Sequence, residues 1–282
     1  MWKSIEINWM ARMRFTIFGG RGFVGNALNK YLISKGYEVL VPERDCLNFE
    51  GQELGHVIYA IGLTADFRSR PFETIDAHVC LLARLLRNTS FDSWLYISST
   101  RVYSGLTIDV ADESIPLNVV PNGDGIYNLS KLSGEALCLS LNVRNIRVVR
   151  LANVYGLGQS KDTFLGSLVN DILNRRQPVI FEAPSSSKDY ISLVDVTTLL
   201  EKIAISGTHR IYNVASGNPV THAELAKALE KAFSCDVSFD AEAPSRSFPR
   251  IDIQRIVSEF GFRPRQLLEE IRHIFNETSQ HG

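Results

Sequence analysis

From Arg14 onward, short apolar runs alternate with longer stretches whose apolar residues recur at helical spacing. Phe15-Thr16-Ile17-Phe18 predicts a strand that runs into Gly19-Gly20-Arg21-Gly22-Phe23-Val24-Gly25 and then Asn26-Ala27-Leu28, a glycine-rich turn and the start of a helix. Tyr37-Glu38-Val39-Leu40-Val41 predicts a second strand, and His56-Val57-Ile58-Tyr59-Ala60-Ile61-Gly62 a third, stopped by glycine. Trp94-Leu95-Tyr96-Ile97-Ser98 and Ile146-Arg147-Val148-Val149-Arg150-Leu151 read as further strands. Helical periodicity covers Ile75 to Leu86, Gly125 to Leu141 and Val194 to Ile205, and Ile211-Tyr212-Asn213-Val214 returns to strand.

Strands alternating with helices predict an α/β fold with a Rossmann-type, doubly wound parallel sheet whose ligands sit at the carboxyl ends of the strands. Beyond Gly156 the pattern loosens, with turn-forming clusters at Pro184-Ser185-Ser186-Ser187 and Ala243-Pro244-Ser245. The expected organisation is a dinucleotide-binding domain over 13–156 and 190–215. A smaller, discontinuous α/β substrate-binding lobe is expected over 157–189 and 216–282, with residues 1–12 as an N-terminal extension.

The chain of 282 residues is long enough for a large core, and its formal net charge of -1 offers no electrostatic case for nucleic acid. No apolar run approaches the ~20 residues of a membrane helix, and Met1 to Met13 lacks the apolar stretch of a secretory signal. Cys46, Cys80, Cys138 and Cys235 show no paired spacing and read as reduced packing residues, with no metal site expected. A cytoplasmic protein is the expectation.

Chemistry concentrates in three places. The glycine string contains Gly20-x-Gly22-x-x-Gly25 and Gly19-x-x-Gly22-x-x-Gly25 between strand and helix, where backbone N–H groups at Gly22, Phe23, Val24 and Gly25 suit a dinucleotide pyrophosphate. Ala60 and Gly62, at the end of the third strand, are expected to line the same cofactor. Tyr127-Asn128-Leu129-Ser130-Lys131 places Tyr127 and Lys131 on one helix face, where an ammonium favours the phenolate. Ser98-Ser99-Thr100 supplies hydroxyls at a strand end.

In this order the motifs resemble the extended short-chain dehydrogenase/reductase family, in particular its NAD(P)-dependent nucleotide-sugar epimerase, dehydratase and reductase branch. Ile97-Ser98-Ser99-Thr100-Arg101-Val102-Tyr103, Arg150-Leu151-Ala152-Asn153-Val154-Tyr155-Gly156 and Asp189-Tyr190-Ile191-Ser192-Leu193-Val194-Asp195-Val196 are similar to three of its segments. Lys188 stands where the branch has arginine, and Val196 where it has a second acid. The resemblance implies that Tyr127 is the general acid/base, that Lys131 binds the nicotinamide ribose and tunes Tyr127, and that Ser99 orients the reacting oxygen. Tyr103 and Tyr155 are expected to be structural.

Val41-Pro42-Glu43-Arg44-Asp45 ends the second strand. Glu43 suits the ribose hydroxyls of NAD, whereas Arg44 and Arg21 suit the 2′-phosphate of NADP. Gly-x-Arg-Gly followed by Arg-Asp-x-Leu-Asn resembles NADP-using nucleotide-sugar reductases of the GDP-fucose synthase type, with Asn48 near the adenine; the reading leans to NADP and leaves NAD open. The branch's dehydratases carry Asp-Glu directly after the strand-end hydroxyl, where this chain has Thr100-Arg101, and the fucose-synthase type uses a cysteine where Thr100 stands. The expected activity is therefore reduction of the 4-keto group of a keto-sugar nucleotide. The alternatives are a C4 epimerase with retained NAD or a non-catalytic dinucleotide-binding regulator. Thr64, Thr100, Asn153 and Arg250 are the expected substrate contacts, and a homodimer is the expected assembly. NADP(H) should bind more tightly than NAD(H), and Arg44→Ala should weaken it about tenfold; dissociation constants for both dinucleotides check this, and tighter NAD(H) binding unchanged by Arg44→Ala refutes it.

Overall fold

A computed structural model describes residues 13–44, 48–63 and 66–278. The proposed extension 1–12, Cys46 and Thr64 lie outside the described residues. The strands are β1 (Arg14–Phe18), β2 (Glu38–Leu40), β3 (His56–Tyr59), β4 (Ser93–Ser99), β5 (Val110–Ala111), β6 (Ile146–Leu151) and β7 (Asn153–Tyr155). They continue with β8 (Val179–Ile180), β9 (Ser187–Ser192), β10 (Ile211–Val214), β11 (Pro219–Thr221), β12 (Ser238–Phe239) and β13 (Arg250–Ile251).

The central sheet has six strands in the order β10-β6-β4-β3-β1-β2. β1 pairs in parallel with β2 on one side and β3 on the other, and β3 pairs in parallel with β4. The strand order thus reverses between β1 and β3, the switch point at which an open α/β sheet leaves a crevice beyond its carboxyl ends. The strands read as continuous apolar runs because both faces are covered. Phe18, Val57, Tyr59, Trp94, Tyr96 and Val148 pack with Leu81, Leu82, Leu85 and Cys138 in one core cluster. Glu201 accepts hydrogen bonds from the hydroxyls of Tyr31 (2.5 Å) and Tyr37 (2.9 Å).

The helix expected over Ile75 to Leu86 is longer and interrupted. It runs as Pro71–Ile75, a π-helical turn at Asp76–Cys80, and Leu81–Asn88. Proline at the first turn suits a start at Pro71. The helix Ile126–Ser140 lies close to its predicted bounds and presents Tyr127, Lys131 and Glu135 on one buried face.

Glu135 is buried and cannot stand there alone. Its carboxylate accepts three hydrogen bonds from Arg150 of β6 (2.7 to 3.2 Å) and one from Ser98 Oγ of β4 (2.5 Å). Both partners are almost fully buried, at 5% and 3% side-chain exposure, so water contributes little to either.

The chain divides into two compact units. The first takes in the described residues up to Val102, with Val119–Arg150 and Thr197–Tyr212; the second takes in Tyr103–Asn118, Leu151–Val196 and the described residues from Asn213. The second unit has a three-stranded sheet in the order β11-β9-β7 and two-stranded pairs β12-β8 and β13-β5, the last of which brings the stretch after Tyr103 into this unit. Its core collects Tyr155, Leu165, Leu168, Tyr190, Leu225, Leu229 and Leu267, among others. Its helix His222–Phe233 begins with a capping box in which Thr221 and Glu224 satisfy each other's backbone N–H groups. Removing one partner of a buried ion pair strands the other charge. Glu135→Ala should therefore cost about 3–5 kcal/mol of unfolding free energy in urea titrations; a loss below about 1 kcal/mol would mean that Arg150 is otherwise satisfied.

Candidate active site

β1 delivers the chain into the glycine turn beside the end of β3. Ala60 N–H donates to the Phe18 carbonyl at 2.8 Å, and a Cβ at Gly19, whose φ is +84°, would fall 2.8 Å from the Ala60 carbonyl carbon and oxygen. A Cβ at Gly25 would come within 2.3 Å of the Gly19 oxygen. Side chains are thus excluded where strand, turn and helix meet. Gly22 begins the helix Phe23–Ser34 without any side-chain cap, so its first N–H groups are open for an anion. An uncapped helix N-terminus behind glycines that admit no Cβ at positions 19 and 25 fits a dinucleotide pyrophosphate.

Beyond β2, Arg21 and Glu43 form an exposed ion pair with each other. Arg44 is exposed and pairs with none of the described residues. The exposed Asn48 accepts from Glu50 N–H at 3.4 Å and borders a cavity with Phe49, Arg84 and Asn88.

The chemistry collects where β4 ends. Ser99 Oγ accepts from Arg101 N–H at 3.2 Å, closing the short 3-10 turn Thr100–Tyr103. That acceptance leaves the Ser99 hydroxyl proton for donation elsewhere. Tyr127 is buried with its hydroxyl in reach of Ser99. Burial pushes its phenol pKa up, and the Ser99 hydrogen bond and the Arg101 guanidinium oppose that rise. Lys131 Nζ donates to the Ile97 carbonyl at 2.9 Å and lies 5.2 Å from the Tyr96 ring centre. Burial pulls its ammonium down to about 7, against the upward pull of Glu135.

A residue that sequence reasoning did not single out completes the floor of the site. His78, fully buried on the π-helical turn, meets the Tyr127 ring edge-on at 5.5 Å. Ser130 Oγ gives its proton to the Tyr127 carbonyl (2.9 Å) and so accepts from His78 Nδ1 (2.7 Å). This assigns the proton to Nδ1 and a lone pair to Nε2, which has no partner among the described residues. A Cβ at Gly62 would lie 2.9 Å from that Nε2 and 3.3 Å from Lys131 Nζ, so both nitrogens face the Gly62 backbone. Burial, aided by Lys131, drives the His78 pKa down to about 2. Its signal in the sequence is a polar residue in register with Leu81, Leu82 and Leu85 on an apolar helix face.

Ser99, Tyr127, Lys131, Thr100, Ala60, Gly62 and the glycine turn thus all belong to the first unit. Thr100 is buried there. Asn153 and Arg250 belong to the second: Asn153 Nδ2 donates to the Asp189 carbonyl at 2.8 Å, and Arg250 is exposed on β13. Tyr103 and Tyr155 are held by hydrogen bonds of that unit, Tyr103 Oη to Asn213 Oδ1 at 2.7 Å and Tyr155 Oη to Glu270 at 2.8 Å.

A glycine cradle at a sheet's switch point and a half-buried Ser99 beside the buried Tyr127 and Lys131 define a dinucleotide-binding α/β protein. The model of the NAD dependent epimerase/dehydratase family matches residues 15–215, and the chain belongs to that family, whose members are NAD(P)-dependent enzymes acting on nucleotide sugars. The chain is 22% identical over 292 residues to a GDP-L-fucose synthase of Sinorhizobium fredii, covering 91% of this chain and 92% of that one. It is 23% identical over 159 residues to a dTDP-D-glucose 4,6-dehydratase of Dictyostelium discoideum, a match over 52% of this chain that spans only 37% of that protein's length. Among solved structures, MoeE5 in complex with UDP-glucose and NAD superimposes with a TM-score of 0.80 at 20% identity, over 95% of this chain and 99% of that one. RMD from Pseudomonas aeruginosa complexed with NADPH gives 0.78 at 22% identity, over 96% and 100%. At these identities the likeness is one of fold. Among the described residues no helix is long and apolar enough to cross a membrane.

The buried His78 carries a pH signature. In the unfolded chain the imidazole takes up a proton below about pH 6.5, whereas folded His78 stays neutral down to about pH 2. The unfolded state binds the extra proton, so stability is full above pH 6.5 and falls as pH drops, by up to about 1.4 kcal/mol per unit. Urea titrations at neutral and mildly acidic pH should show a slope smaller by about one proton in His78→Asn. Equal slopes in the two proteins would contradict a buried neutral imidazole.

Proposed function

We propose that this protein is an NADP(H)-dependent reductase of keto-sugar nucleotides, acting on a 4-keto group. The observation that carries the reading is the buried Tyr127 phenol beside Ser99, with Lys131 reaching the Gly62 backbone next to the glycine turn. Gly19, Gly22, Phe23, Val24 and Gly25 would line the pyrophosphate, with the N–H groups of Phe23, Val24 and Gly25 donating to it while Gly22 N–H holds the Gly19 carbonyl, and Ala60, Gly62 and Lys131 would hold the nicotinamide end. Bound there, the dinucleotide supplies the hydride.

The chain's own residues supply position and a proton. Ser99 Oγ, already accepting from Arg101 N–H, donates to the substrate ketone oxygen. Tyr127 Oη gives its proton to that oxygen as the carbon receives hydride, so C=O becomes CH–OH and Tyr127 is left as phenolate until solvent reprotonates it. Thr100 would offer this oxygen a further hydroxyl.

Dehydration needs an acid and a base beside the strand-end hydroxyl, and this chain places there a threonine and a permanent cation. For the cofactor, the Arg21–Glu43 pair is the supporting detail. With Glu43 neutralised by Arg21, the carboxylate that would repel a 2′-phosphate is screened, and Arg44 remains to receive it. That exposed pair costs little to rearrange. The same Glu43, released from Arg21, would favour NAD and the C4 epimerase reading, in which dinucleotide co-purifies with the protein and NADPH is not consumed.

Tyr127→Phe should lower turnover of 4-keto-sugar nucleotides with NADPH by about a thousandfold. The same variant should leave the NADPH dissociation constant within about threefold. An active variant would remove Tyr127 from the proton transfer. Retained dinucleotide with no net NADPH oxidation across the substrate panel would favour the epimerase.

A further inference from the structure

Three side chains from three elements box the Tyr127 ring. His78 meets its edge at 5.5 Å, Phe67 tilts against it at 5.3 Å, and the Arg101 guanidinium carbon lies 5.4 Å from its centre. The same guanidinium sits 4.9 Å from the centre of the buried Phe67 ring. Its backbone is pinned as well, because Arg101 N–H donates to the Ser99 hydroxyl that also bonds Tyr127. One serine thus sets both the reacting phenol and the cation over it.

We propose that Arg101 is a positioning residue of the proton transfer, supplying the fixed positive charge that holds the Tyr127 phenolate once its proton has gone to the substrate oxygen. The inference rests on the reading of Tyr127 as acid/base and adds a partner to it. An arginine guanidinium keeps its charge throughout the working pH range and lies readily over an aromatic face.

The other groups facing Tyr127 do not duplicate this. Lys131, on the same helix, commits Nζ to the Ile97 carbonyl, and burial lowers its ammonium to about 7, so its charge varies across the working pH range. His78, from the π-helical turn, is held neutral. Glu135, also on the helix, is engaged by Arg150 and Ser98. Asp124, ahead of the helix, is exposed and paired with Arg68, whose guanidinium lies over Phe67. Tyr96 of β4 is buried and stays protonated, its pKa raised by burial. A lasting positive charge on the Tyr127 ring itself comes from Arg101.

The test reads ionisation directly and needs neither substrate nor cofactor. Placing 3-fluorotyrosine at position 127 alone, by codon suppression, gives a single fluorine resonance whose shift follows the phenol–phenolate equilibrium. In the Arg101→Gln background its midpoint should rise by about one pH unit, a tenfold smaller ionisation constant. Arg101→Lys should recover part of that loss. Should Arg101→Gln fail to fold by circular dichroism, Arg101→Met, which keeps an aliphatic stem over Phe67, gives the same comparison. Midpoints that coincide across the folded variants overturn the proposal. Because the readout is a titration, that outcome stays distinct from an inactive substrate panel, which would count against the proposed reaction instead.

Discussion

The site depends on a buried carboxylate being satisfied. Glu135 sits on the face of the helix Ile126–Ser140 that carries Tyr127 and Lys131, and its hydrogen bonds reach Arg150 of β6 and Ser98 of β4. A charge in that place is tolerable only while all these bonds are made, so the helix cannot slide or rotate on the sheet without stranding it. Apolar packing alone accepts small displacements. This network does not, and it fixes where the phenol of Tyr127 stands relative to the end of β4.

The same helix is held from its other neighbour through His78. An unbroken α-helix from Pro71 to Asn88 would carry its side chains past Tyr127 at regular spacing. The π-helical turn shifts the register locally and sets the imidazole against Ser130 and the ring of Tyr127. Sheet, bulged helix and the helix of Tyr127 therefore meet in one polar cluster beneath Gly62, inside an otherwise apolar layer.

Much of this was legible in the chain before its structure. Apolar runs ended by glycine marked β1 and β3, because a strand buried on both faces has little choice of residue. Tyr127 and Lys131 declared themselves by spacing, since four residues return a helix to the same face. What stayed hidden has a common cause. Glu135, Arg150 and Ser98 are far apart in sequence, and a charged residue destined for the interior looks no different from one destined for solvent. The π turn leaves the helical periodicity of Ile75 to Leu86 nearly intact, so a bulge of one residue gave no sign. Arg21 and Glu43 pair with each other in the fold, a contact that their separation in sequence does not announce. In the sequence Arg101 stands out only for the acid it replaces; its place over Tyr127 follows from the tight turn after β4, which spacing does not reveal.

Gly62 and His78 are too close to vary independently. Any side chain at 62 would run into the imidazole, and any larger ring at 78 would press on the backbone at 62. Over evolutionary time the two positions should be coupled in one direction, the histidine requiring the glycine. A lineage that replaced the histidine with something smaller would be free to lose the glycine, and one that kept it would not.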